Sequence, residues 1–248
     1  MTGSLARESR RIPLTASAFV RALAALSQVA APIAHEAFAQ RVSQWFDWTH
    51  AIDLAATLRE PPAPGGPAQS AAVTKPYERD VARLRAVLGK VVDDTWSGAA
   101  GSRTKRTMAE ALAQAGEAAF DFATWRQRYT ACQQAMDAQI GPLRRRVRAA
   151  LADGSPTQAK LAELDGLMEQ VVGVQERNLL AGVPGMLEPR FEQARRSSST
   201  EVVTVAPRWL ETFYQDARAL LLAELDLRLQ PLEGLLAAGL GPSTHTSS

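Results

Sequence analysis

The chain has a single cysteine, three histidines and few aromatic residues, 6% of its 248 positions. Each shortage removes a class of function. Cys132 alone cannot form an intrachain disulfide or a thiolate metal cluster, and it suits a reducing compartment. Three histidines, one of them in the tail, are too few for an imidazole-based metal centre. A net charge of +2 supplies no global field toward nucleic acid or an anionic membrane. No run of 18 apolar residues occurs, so no membrane-spanning helix is expected. Strand-forming clusters are almost missing; "EVVTVAP" (201–207) is short and stands alone.

What is abundant is Ala, Leu, Arg, Gln and Glu, residues that lose little on entering a helix. The expected fold is all-α. Charge is uneven along it. Residues 122–153 carry six Arg against two Asp, and residues 201–240 carry three Arg against six acids. Complementary helices of one bundle account for that as well as a ligand does.

Punctuation divides the chain. Residues 1–14 read as a disordered lead. "SRRIPL" (9–14) resembles a twin-arginine export signal. However, Pro13 stands where a bulky apolar residue is wanted, and Arg21 interrupts the apolar stretch. A basic lead into an amphipathic helix is the plainer reading, and a cytoplasmic location is expected. Residues 15–59 form an N-terminal helical module, with Phe19, Leu23, Leu26 and Ala30 on one face. "EPPAPGGPAQSAAVT" (60–74) reads as a Pro-rich linker. Residues 75–240 form a bundle of long, partly coiled-coil-like helices, and 241–248 a disordered tail.

Within the bundle, Val81, Leu84, Leu88 and Val91 mark one helix. The clearest signal follows. Phe122, Trp125, Tyr129, Cys132, Met136, Ile140, Leu143 and Val147 are spaced as a heptad seam with one four-residue insertion. Gly141-Pro142 is a candidate kink. "DGSP" (153–156) supplies a helix stop and a start. Leu164, Leu167, Val171 and Val174 define the next helix, which "AGVPG" (181–185) is expected to break. A short helix over 186–196 follows. The last helix starts near Pro207 and carries Trp209, Phe213, Ala217, Leu220, Leu221 and Leu225, with Pro231 as a candidate kink. Long seams need partners, in this chain, in a copy of it, or in another protein.

"FAQRVSQWFDWTHAIDLAATL" (38–58) holds most of the N-terminal aromatics. On a helix, Phe38, Val42, Trp45, Thr49, Ile52 and Ala56 fall within roughly 80°. Trp48 and Phe46 flank the stripe. Such a stripe is ordinarily core; the functional alternative is an aromatic docking face for a partner protein. A catalytic pair of His50 with Asp47 or Asp53 lacks any nearby nucleophile or phosphate cradle.

The same stretch resembles the signature of an uncharacterised family of high-GC proteobacteria, a domain of unknown function. Phe38, Arg41, Ser43, Gln44, Trp45, Trp48, Thr49, Ala51 and Ile52 carry the likeness. Such families resemble accessory subunits of Zorya-type anti-phage defence systems, beside a motor-like membrane protein and a peptidoglycan-binding one. The resemblance implies a cytoplasmic accessory or effector subunit and supplies no catalytic residues.

Other motifs are incomplete. "HEAFA" (35–39) opens like a zinc-protease helix, but Ala39 stands where the second histidine belongs. "GAAGSRTKRT" (98–107) lacks the Gly-Lys-Ser/Thr core of a phosphate loop. Arg103, Lys105 and Arg106 near a helix start remain candidate phosphate or nucleic-acid contacts. So do Arg144, Arg145 and Arg148 of "LRRRVR" (143–148). The rival readings of those arginines are complementing a helix C-terminus and pairing with the acidic last helix.

The expectation is therefore a non-enzymatic helical assembly or adaptor protein. It would hold no metal and no cofactor, and would dock protein subunits or a second copy through Phe38, Arg41, Trp45, Phe46, Trp48 and Ile52. The alternative is a nucleic-acid-binding protein using the basic helix and the basic loop.

Overall fold

The structure, a computed structural model, describes residues 17–27, 48–59, 67–96, 121–197 and 208–239. Among these residues the chain is all-α and has no strand. The helices are α1 (Ala18–Ser27), α2 (Trp48–Arg59), α3 (Pro67–Trp96), α4 (Phe122–Ala152), α5 (Pro156–Met186), α6 (Glu188–Ser197) and α7 (Arg208–Gly239). None is long and apolar enough to cross a membrane.

Local chemistry sets the helix ends. Ser17 accepts from the Val20 amide at the start of α1. Asp121 caps α4 by accepting from the amides of Ala123 and Thr124, both at 3.2 Å. Ser155 opens α5 with a reciprocal capping box to Gln158, and Pro156 occupies the first turn, where its missing N–H costs nothing. The intervening Asp153-Gly154-Ser155 turn folds α4 and α5 into an antiparallel pair.

α7 is the central rod. It packs against α3, α1, α4, α5 and α6. Leu210, Leu220, Leu221, Leu229 and Leu232 along it are fully buried. All eight seam residues of α4, from Phe122 to Val147, are buried too, and they close within this chain. At one end of the bundle Trp125 packs against Phe122, Trp96, Tyr129 and Phe213 at centroid separations of 5.0 to 5.9 Å. At the other, the buried Gln158 side chain donates to the last carbonyl of α7, Gly239, at 3.0 Å.

Several sequence expectations are corrected. The Pro-rich segment 60–74 is not linker throughout: α3 begins at Pro67, so Pro76 lies inside a helix rather than at its start. Phe19 of α1 belongs to the same core as α7, and α2 rests on α5. The buried side of α3 runs through Val81, Leu88, Val92 and Trp96, one position past the expected Val91. On α5, Leu167 and Val171 are buried but Val174 is exposed. Pro142 and Pro231, the candidate kinks, each lie inside a continuous helix. The expected break over 181–185 is also absent, because α5 runs through Pro184 and stops only at Leu187.

Candidate functional site

Three groupings carry polar or exposed chemistry that packing alone does not demand. The first is α2. Its covered side is formed by His50, Leu54 and Thr57, spaced four and three. Thr57 is 6% exposed and its hydroxyl donates to Glu163 Oε1 of α5 at 3.1 Å. Lys160 donates to the other oxygen of Glu163 at 3.1 Å. The Lys160 and Thr57 bonds together hold the Glu163 carboxyl below the usual range. Other apolar residues are exposed, at positions roughly 120° apart around the helix. Ile52 is 50% and Leu58 66% exposed, and Ala51 and Ala56 are exposed beside them. The expected core stripe through Ile52 and Ala56 is thus turned outward, because the helix is anchored by its polar residue. Phe38, Arg41, Trp45 and Phe46 lie outside the described residues; Trp48 begins α2.

A groove of ≈ 860 Å³ lies between α2, α4 and α5, with Asp53, Ala56 and Thr57 as its α2 wall. Its floor is small-residue surface: Ala149, Ala152, Ala159, Ala162 and Gly166. Arg145, Arg148, Glu163 and Glu169 line its charged parts.

The second grouping is the basic run of α4. Arg144 donates to both oxygens of Asp165, the shortest bond being 2.6 Å. Burial opposes its charge, but Asp165 outweighs that and lifts its pKa. Arg148 pairs with Glu169 and lies 3.6 Å from Asp165. Burial pushes the Glu169 carboxyl up, yet Arg148 more than offsets it and leaves its pKa lowered. One rival reading, pairing with the acidic last helix, is not the one these two arginines follow. The antiparallel pairing of α4 and α5 brings the acids of α5 opposite them instead. Arg145 is exposed. Arg103, Lys105 and Arg106 lie outside the described residues.

The third grouping lies in the core and was not singled out from the sequence. Glu224 of α7 is fully buried. It accepts from Tyr129 Oη at 2.9 Å, from Gln133 Nε2 at 3.0 Å and from Arg228 Nε at 2.8 Å. Arg228 also donates to Asp137, which reaches solvent. Glu176 of α5 sits nearby within the fields of Arg228 and Arg144, and burial pushes its pKa up. A buried carboxylate with every oxygen engaged is a packing and specificity device. It has no open face for a substrate. A signal for it existed: Glu224 and Arg228 are in helical phase with the buried Leu221 and Leu232. Among the described residues no group of three metal-ligating side chains converges.

Fold and site together define an all-α bundle with one short helix carried on its outside by a polar anchor. The chain belongs to the family described as a protein of unknown function, DUF3348, whose model matches residues 5–240. That span takes in the N-terminal helices and the bundle alike. No curated protein and no solved structure matches it.

Proposed function

We propose that the chain is a non-enzymatic helical assembly or adaptor protein that grips a partner protein through the outward side of α2. One observation carries this reading. Ile52 and Leu58 are 50% and 66% exposed on a helix whose buried side chain among residues 50–59 is a threonine. That inverts the usual arrangement of a surface helix, in which apolar residues face the core. Two turns of apolar surface suit the groove or ridge of another helix. Phe38, Arg41, Trp45, Phe46 and Trp48, immediately upstream, would extend the contact with aromatic anchors.

The partners belong to the same proposal. They are protein subunits in the cytoplasm, including a Zorya-like membrane-motor complex and a second accessory protein. This part rests on the sequence resemblance of residues 38–58. The nucleic-acid alternative retains Arg145 and the loop residues Arg103, Lys105 and Arg106. It is weakened at Arg144 and Arg148, whose guanidinium groups are committed to Asp165 and Glu169.

The test is native-level purification of the full chain and of an Ile52→Asn/Leu58→Asn variant from the host. The proposal expects a stoichiometric protein partner with the wild type, recovered at least ~10-fold less with a variant that still folds. Equal recovery would reject it. So would recovery of nucleic acid alone, with affinity falling steeply as salt rises. A partner unrelated to a membrane motor would reject the defence assignment while leaving the docking face standing.

A further inference from the structure

α2 differs from every other described helix in how it is held. The core cluster draws side chains from α1, α3, α4, α5, α6 and α7, and none from residues 50–59 of α2. Its principal neighbour is α5. Among residues 50–59, whose side chains are described, the one buried below a tenth is Thr57, fixed by a hydrogen bond to Glu163. Of the apolar side chains there, Ile52 and Leu58 are at least half-exposed, and Leu54 is partly buried. Lifting residues 50–59 forfeits little apolar burial beyond that of Leu54, and the stability of a segment against opening scales with the apolar contacts it makes.

What lies beneath is already shaped without it. The groove floor is built by α4 and α5, whose packing is locked by Arg144–Asp165 and Arg148–Glu169. Gly166 lets the Arg148 guanidinium lie close along α5: a Cβ there would stand 3.1 Å from it.

We infer that α2 is a releasable strap, opening from the bundle as a unit while the other six described helices stay folded. Opening takes away the wall that Asp53, Ala56 and Thr57 give the small-residue groove between α4 and α5. The inference goes beyond the docking proposal and stands independently of it, since it concerns the free chain with no partner present.

Hydrogen exchange read by mass spectrometry on the intact chain tests it. Amides of residues 50–59 should exchange at least ~100-fold faster than those of α4 and α7, yet slower than an unstructured peptide. Thr57→Val should speed α2 exchange by roughly 2- to 10-fold, the value of one hydrogen bond, and leave α4 and α7 unchanged. Leu58→Glu, on the outward side, should leave the protection of α2 as it is. Exchange of α2 at the same rate as α4 would overturn the inference, as would Thr57→Val loosening all helices together. Acceleration by Leu58→Glu would also overturn it, because the apolar side would then be the anchor. Exchange at the unstructured rate would mean that there is no strapped state.

Discussion

Gln133 Nε2 donates to the Leu180 carbonyl at 2.8 Å, and that carbonyl is the one Pro184 leaves without its helical donor. In an unbroken helix the amide of residue 184 would serve the carbonyl of residue 180. Proline has no N–H, and a buried carbonyl without a donor is costly. A side chain from α4 fills the vacancy, and α5 continues for two further residues. The same amide group donates to Glu224. Gln133→Leu should therefore cost about 2–4 kcal/mol, from two buried acceptors each losing a donor. Pro184→Ala restores the backbone N–H. In the Gln133→Leu background it should recover part of the loss, and in the wild type much less. A denaturation double-mutant cycle reads the difference.

The Tyr129–Glu224 bond makes a prediction about alkaline stability. Burial first, then the charge and hydrogen bond of Glu224, push the Tyr129 phenol well above its ordinary value. The unfolded phenol ionises near pH 10. A folded pKa above the unfolded one gives stability that is complete below about pH 10 and lost as pH rises further. Burial raises Cys132 and Tyr214 too, so they add to the fall. Tyr129→Phe should cost ~1–2 kcal/mol at pH 8. It should also make the decline in urea midpoint beyond pH 10 shallower than in the wild type. An equally steep decline would show that the phenol titrates normally in the fold.

Glu176 works in the opposite sense from a paired carboxylate. Its raised pKa, caused chiefly by burial and only partly offset by Arg228 and Arg144, means that ionising it costs stability. The contribution is present below the unfolded carboxyl pKa and is lost as pH rises through the folded one. Glu176→Gln should raise the urea midpoint at pH 7 and change it less at pH 4.

How much of this was legible follows from where the information sits. The α4 seam was readable because eight large residues at helical spacing can be buried in only one way, and all eight are. The last helix was readable for the same reason. The course of α5 was not. Gly and Pro at 182–185 are breakers locally, and only the side chain of Gln133, 47 positions away in sequence, cancels the break. The orientation of α2 was hidden similarly. Its periodicity puts Ile52 and Ala56 on one side, but which side meets the bundle depends on Thr57 finding Glu163. The arginines of 143–148 were visible as a cluster, yet their partners emerge only when the turn at 153–155 brings Asp165 and Glu169 opposite.

Those arginines should separate by burial. Arg144→Ala leaves Asp165, itself largely covered, without its bidentate partner, and should cost ~1–3 kcal/mol. Arg145→Ala, one residue on and exposed, should stay within about 0.5 kcal/mol. If the nucleic-acid alternative holds, Arg145→Ala should still reduce oligonucleotide binding and its salt dependence. Filter binding at two salt concentrations measures this beside the melts.

The outward side of α2 yields the complementary result. A core leucine replaced by a polar residue ordinarily costs several kcal/mol. Leu58, 66% exposed, has no cavity to leave and no buried neighbour to strand. Leu58→Asn should therefore shift global stability by no more than about 0.5 kcal/mol, and Ile52→Asn, half-exposed, by little more. A loss of 2 kcal/mol or more from Leu58→Asn in a thermal or urea melt would place this side against the bundle. That would remove the exposed surface on which docking through α2 depends. Unchanged stability, combined with loss of a partner, separates a surface kept for association from one kept for folding.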